Sequence, residues 1–166
     1  RQMWGKTWSY AHNGQLADSE TLCSGHHQVL GSTDSEKAFC WILARLQESF
    51  GDSEPSIDRL SQKLHALSET LRGMGVFNMM LSDGDSLICY CTTKLHWITR
   101  RAPFKPATLS DDDVSIDFKE VTTDKDIVTV IATQPLTNDE TWHQMQAGEL
   151  CIFSQGELIQ HIKPSS

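Results

Sequence analysis

Two short runs in this sequence carry side chains that could stabilise charge on a small substrate: Ala11-His12-Asn13-Gly14-Gln15 and Thr33-Asp34-Ser35-Glu36. An Asn carboxamide followed by a Gly, whose backbone N–H can be approached closely, offers two donors to one developing oxyanion. Thr33 is a helix-capping residue type, so Asp34 falls in a first turn, where the helix dipole favours a carboxylate that could hold a substrate ammonium. No obvious nucleophile accompanies these groups. There is no G-x-S-x-G elbow, H-E-x-x-H pair, Gly-rich phosphate loop or dinucleotide fingerprint. Ser, His and Asp are plentiful, but no local pattern assembles a triad, and no cofactor is expected.

Composition narrows the class. The chain has 166 residues, enough for one domain with a substantial core, and a net charge of -8. Nucleic-acid binding needs clustered Lys and Arg, and the sequence offers little beyond Arg100-Arg101, which reads as a solvated strand end. No apolar run approaches the roughly 18 residues of a membrane span, and no signal-peptide pattern opens the chain, so it reads as soluble. Five scattered cysteines, Cys23, Cys40, Cys89, Cys91 and Cys151, form no C-x-x-C pair, which favours free thiols in a reducing, cytoplasmic compartment. Cys89 and Cys91, two apart in a strand-like run, should face the same way into the core. His26-His27 lacks acidic or Cys partners at ligand spacing, and no metal is expected.

The positioning elements are legible from periodicity. Met3 to Asn13 reads as a Trp- and Tyr-rich strand running into a turn at Asn13-Gly14, and Leu16 to Leu30 as a surface loop. Thr33 and Glu36 make a capping box for a helix with Ala38, Phe39, Ile42, Leu43 and Leu46 on one face, ending near Gly51. A second helix follows Pro55, with Ile57, Leu60, Leu64, Leu67 and Leu71 forming a core-facing stripe up to Gly73. Strands are predicted at Val76–Leu81 and Leu87–Thr92 around an Asp83-Gly84 hairpin, then at Leu95–Thr99, Val114–Phe118, Ile127–Ala132, Leu150–Phe153 and Glu157–Ile162. Two helices among hairpin-linked strands predict an α+β fold with an antiparallel sheet.

The order Ala11-His12-Asn13-Gly14, Thr33-Asp34-Ser35-Glu36, then Ile131-Ala132-Thr133-Gln134-Pro135-Leu136 with Trp142 and Gly148-Glu149, resembles the glutaminase domain of class II glutamine amidotransferases. Thr33 to Trp41, Gly75 to Asn78 and Leu95 to Pro103 are most similar to its stand-alone bacterial members of the YafJ type. The resemblance runs from about Trp4 to Ile159 and makes 1–166 a single domain of this type. It implies an Ntn-hydrolase fold, an αββα four-layer sandwich of antiparallel sheets. It also implies a chemistry in which an N-terminal Cys thiolate, with its own α-amine as base, attacks the side-chain amide of glutamine, releases ammonia and leaves a thioester for water to resolve. Carried over, Asn13 and Gly14 form the oxyanion hole, Asp34 binds the α-ammonium of glutamine, and His12 and Thr33 flank it as substrate-binding residues.

The departure from the pattern lies at the front. Position 1 is Arg, not Cys, and neither Arg1 nor Arg100-Arg101 stands where the family's carboxylate-gripping Arg does. The expectation is an N-terminally incomplete domain, silent by itself, that takes glutamine or a γ-glutamyl small molecule when whole and passes ammonia to a partner the sequence does not identify. The alternatives are a hydrolase of another γ-glutamyl amide and a non-catalytic glutamine-binding or regulatory module.

Overall fold

The computed structural model describes residues 1–104, 107–110, 115–116, 123 and 125–164. The chain opens with β1 (Gln2–Met3) and β2 (Lys6–Thr7), a hairpin closed by Trp4 and Gly5 with φ of 54° and 74°. Two positive φ angles are what a type I′ turn requires. A bulky residue seldom adopts this conformation, and Trp4 is held there by its indole N–H, which donates to the Gly51 carbonyl (2.9 Å), and by edge contacts with Trp8 and Phe50. The single strand expected from Met3 is therefore divided, and β3 (Ser9–Leu16) is its continuous part. Asn13 and Gly14 lie inside β3, opposite Asn78 and Phe77, so the turn expected at that dipeptide does not form.

A 3₁₀ turn at Ser19–Thr21 and a loop lead to α1 (Asp34–Phe50). Thr33 is extended, and its Oγ1 accepts the Glu36 N–H at 3.2 Å. Only half of the expected capping box is present, because the Glu36 carboxylate turns outward to the N–H groups of Leu30 (3.1 Å) and Gly31 (2.6 Å). Gly51 ends α1. Ser56 precedes α2 (Ile57–Arg72), and Gly73 follows it with its N–H bonded to the Glu69 carbonyl.

The remaining strands are β4 (Gly75–Ser82), β5 (Leu87–Cys91), β6 (His96–Arg101), β7 (Ala107–Thr108), β8 (Ser115–Ile116), β9 (Ile127–Ala132), β10 (His143–Gln144), β11 (Glu149–Ser154) and β12 (Glu157–Ile162). Of the strand expected at Val114–Phe118, only Ser115–Ile116 belongs to the described residues. A five-stranded antiparallel sheet runs β12-β11-β5-β4-β3, and a three-stranded one runs β10-β6-β9. Both helices cover one face of the larger sheet, where Ile42, Leu43, Leu46, Leu64 and Leu71 meet Phe77, Met79, Leu81, Tyr90 and Ile152. Each such large apolar side chain contributes about 1.5–3 kcal/mol on leaving water. The opposite face carries Cys89, Cys91, Cys151 and Phe153, packed against Leu95 of the β5–β6 connection and against Trp97 and Ile131 of the smaller sheet.

The result is α+β, as expected, with helices, larger sheet and smaller sheet stacked in that order. Among the described residues the only α-helices are these two, so three of the expected four layers are in view. No helix among them is long and apolar enough to cross a membrane.

Candidate functional site

The predicted site residues gather where the end of β3 meets the start of α1, but the pleat divides them. Tyr10, His12 and Gly14 point towards the helices, and Asn13 points to the opposite face. Asp34, the first residue of α1, bridges the two elements: its Oδ2 accepts the Leu16 N–H at 2.8 Å and its Oδ1 accepts the Ser35 N–H at 2.8 Å. Both oxygens keep lone pairs for a further donor.

His12 braces the same corner. Its Nε2 lies 3.0 Å from the Val76 carbonyl and its Nδ1 lies 2.9 Å from the Ser35 hydroxyl. A carbonyl only accepts, so Nε2 carries the proton, and in the neutral ring Nδ1 accepts from Ser35. Thr33 sits one residue before Asp34, with its hydroxyl in the helix cap. Thr33, Asp34 and His12 are thus brought together through Ser35 and Leu16.

Gly14 is required by contact. A Cβ at this position would stand 1.9 Å from the Val76 carbonyl oxygen, and φ is +153°. The strands approach each other this closely because Gly75, nearby on β4, is also without a side chain.

Asn13 is held from the other side by a residue that the motif search did not single out. Asn78, its cross-strand partner and only 3% exposed, donates from Nδ2 to the Asn13 carbonyl (3.1 Å) and to Thr93 Oγ1 (2.9 Å). Its Oδ1 accepts the N–H groups of Thr92 (2.9 Å) and Thr93 (3.0 Å), which fixes the loop after β5 beside Asn13. A polar residue inside Val-Phe-Asn-Met-Met was the available signal, since a buried Asn must have partners. Tyr10 was also missed. Its ring stacks on Phe39 at 5.0 Å, and its buried hydroxyl has no hydrogen-bond partner among the described residues. Burial, and then the Asp34 charge, push its phenol well above the ordinary range, so it stays a neutral donor.

The other chemistry-bearing residues lie elsewhere. Arg100 is not solvated, because it forks onto Glu140 (2.8 and 2.5 Å), whereas Arg101 ends β6 exposed, as expected, and pairs with Glu157. Thr137 donates to Glu140 (2.6 Å) and accepts from the Trp142 indole (2.9 Å), which orders the segment after Pro135. Cys40, Cys89, Cys91 and Cys151 are buried, as expected for the strand pair, and burial pushes their thiols up, to about 12 for Cys89. Thiols so placed are poor nucleophiles. Cys23 is exposed on the loop before α1.

Comparison with known proteins places this geometry in context. The profile of the class II glutamine amidotransferases matches residues 1–166. The chain is 50% identical over 159 residues to YafJ of Escherichia coli K12, covering 96% of this chain and 62% of that protein. It is 38% identical over 162 residues to a relative from Haemophilus influenzae, of which it covers 55%. The crystal structure of a predicted glutamine amidotransferase from Pseudomonas aeruginosa PA01 superposes with a TM-score of 0.86 at 45% identity, over 96% of this chain and 62% of that one. A glutamine phosphoribosylpyrophosphate amidotransferase from B. subtilis shares the fold at a TM-score of 0.57 and 12% identity, over 98% of this chain and 30% of that one. The chain spans less than two thirds of the length of each of these proteins.

Proposed function

The chain belongs to the class II glutamine amidotransferases, and from that membership we propose that it supplies the substrate-holding part of a glutamine-hydrolysing site of the Ntn-hydrolase type. One juxtaposition supports this reading above the others: the Leu16 N–H, two residues beyond Gly14, donates to Asp34 at 2.8 Å, so a candidate oxyanion pair and a candidate ammonium acceptor adjoin. Glutamine would extend across the end of β3. Its α-ammonium would meet Asp34, and its side-chain carbonyl would meet the Asn13 carboxamide and the Gly14 N–H. Loss of one oxyanion donor typically costs about 2.7–4 kcal/mol of transition-state stabilisation. His12 and Thr33 serve by position, one bracing β3 against α1 and the other setting the helix start that presents Asp34.

The reaction proposed is attack of a thiolate on the side-chain amide carbon, departure of ammonia and hydrolysis of the resulting thioester to glutamate. Four of the five cysteines are buried and held as thiols, which makes them poor nucleophiles. The chain by itself is therefore expected to bind glutamine without turning it over. The same observation favours, as a second reading, a glutamine-binding module that does no chemistry.

Titration calorimetry with glutamine tests the pocket. Asp34→Asn should weaken binding roughly tenfold or more, because a hydrogen bond to a charged group contributes about 1.5–3 kcal/mol. Unchanged affinity in that variant would refute the assignment. Glutamate release from glutamine by the purified chain would refute the expectation of binding without turnover, and such release with loss in Asn13→Ala would keep the oxyanion role.

A further inference from the structure

The face of the larger sheet that meets the smaller one carries a second group of chemically able side chains, separate from β3. On β11, alternation puts Glu149, Cys151 and Phe153 on this face. The ladder sets Cys91 opposite Glu149 and Cys89 opposite Cys151 on β5, and His161 opposite Cys151 on β12. Directly opposed residues have Cβ atoms about 4.5–5.5 Å apart, so three neighbouring strands present a carboxylate, an imidazole and three thiols side by side.

One ligand atom each from Glu149, Cys151 and His161 lies within 4.8 Å of the other two. His161 Nε2 is 2.7 Å from Glu149 Oε1, and Cys151 Sγ is 3.7 Å from the same oxygen. Tetrahedral Zn²⁺, with bonds of about 2.0–2.3 Å, needs its ligand atoms roughly 3.3–3.6 Å apart. Two of these atoms already stand near that spacing, and the nitrogen–oxygen pair must open by only about 0.6 Å. The other Glu149 oxygen accepts the Gln146 N–H at 2.7 Å, which orients the carboxylate and leaves Oε1 facing the thiol and the imidazole.

Charge and access agree with this reading. The Glu149 side chain is 12% exposed, and its partners among the described residues are the His161 imidazole, the Cys151 thiol and the Gln146 N–H rather than a Lys or Arg. A divalent cation would balance the carboxylate and the thiolate together. His161, 34% exposed at the rim, leaves a way in from solvent. The donor set decides the class of ion: thiolate and imidazole select Zn²⁺ and related borderline-soft metals over Mg²⁺ or Ca²⁺, which prefer all-oxygen shells.

We propose that Glu149, Cys151 and His161 form a binding site for Zn²⁺ or a similar borderline-soft divalent cation, with a solvent molecule in the fourth position. Binding displaces to solvent the Cys151 thiol proton and any proton that His161 carries on Nε2. The site does not depend on the glutamine-hydrolysing reading, since it shares no residue with it.

The test is a Co²⁺ titration of the purified protein under metal-free reducing conditions, followed by absorption and then by Zn²⁺ competition. The expected result is a thiolate-to-cobalt charge-transfer band that saturates at one equivalent and is bleached by Zn²⁺. Cys151→Ser should abolish the band, and His161→Ala, at a rim position that the fold tolerates, should weaken metal binding by at least about tenfold. Cys23→Ser, which removes the exposed thiol, should change neither. Absence of the band, its loss in Cys23→Ser with retention in Cys151→Ser, or unaltered affinity in His161→Ala would each overturn the proposal. If Cys151→Ser fails to fold, judged by circular dichroism, His161→Ala and Glu149→Gln decide the matter.

Discussion

Replacing Gly14 with Ala tests whether close approach of β3 and β4 builds the candidate site. The added Cβ would lie 1.9 Å from the Val76 carbonyl oxygen and 2.6 Å from its carbon, and both belong to backbone that cannot rotate away. Reaching even a tight contact of 3.0 Å requires the strands to part by about 1 Å. Holding Ala at a φ of +153° costs about 1–3 kcal/mol, and each ladder hydrogen bond lost as the strands separate costs about 0.5–1.5 kcal/mol more. A total of about 3–5 kcal/mol follows, a large share of the roughly 5–15 kcal/mol that holds a domain together. Gly84→Ala is the control, because that glycine has φ +95° and nothing within 4 Å of its absent Cβ, so only the backbone term applies. Urea unfolding followed by tryptophan fluorescence should place Gly14→Ala about 2 kcal/mol below Gly84→Ala. Equal losses in the two variants would refute the steric argument and with it the claim that Gly14 is there for contact.

Two further perturbations probe the same framework. Asn78→Leu removes the partners of the Asn13 carbonyl and of the Thr92 and Thr93 N–H groups, so it should cost about 3 kcal/mol in thermal or urea melts and speed amide exchange at Thr92 and Thr93. Slow exchange at those amides in the variant would contradict this account. Burial alone would raise the Asp83 carboxyl, but the Lys6 ammonium and the N–H groups of Ser86 and Asp85 hold it below the usual carboxylate range. A depressed folded-state value means that its stabilisation is complete above roughly pH 4, the unfolded value, and is lost as pH falls through the folded value. Urea midpoints measured down this range should fall steeply in the wild type and less steeply in Lys6→Met. Parallel acid limbs would show that the Lys6 pairing does not set the Asp83 value.

Much of the architecture could be read from single residues. Thr33, Gly51 and Gly73 marked helix ends because capping chemistry is local, and the stripe at Ile57, Leu60, Leu64, Leu67 and Leu71 marked a buried face because its period is that of a helix, except that Ile57, in the first turn, is exposed. Trp4-Gly5 was not recognised as a turn, since the positive φ at Trp4 is imposed by Gly51 and Phe50 from far along the chain. Asn13-Gly14 misled in the opposite direction: the dipeptide favours a hairpin, but the glycine serves an interstrand contact with Val76. Asp34 was placed correctly because a helix start fixes its position. The partners of Asn13, namely Asn78 and the Thr92-Thr93 loop, depend on β3–β4 register, which local patterns do not encode. The grouping of Glu149, Cys151 and His161 was hidden for the same reason, as it appears only when the β11–β12 ladder is known.

The pairing of β3 with β4 has a consequence for how the protein acquires its site. Leu16 meets Gly75 with α1 and α2 lying between them in the chain, so Asn13 and its partner Asn78 come together only when a long loop closes. Closing it carries an entropic cost that the two helices reduce by shortening the span and docking on each other. The β3–β4 side of the substrate-holding corner therefore cannot form before that closure is made.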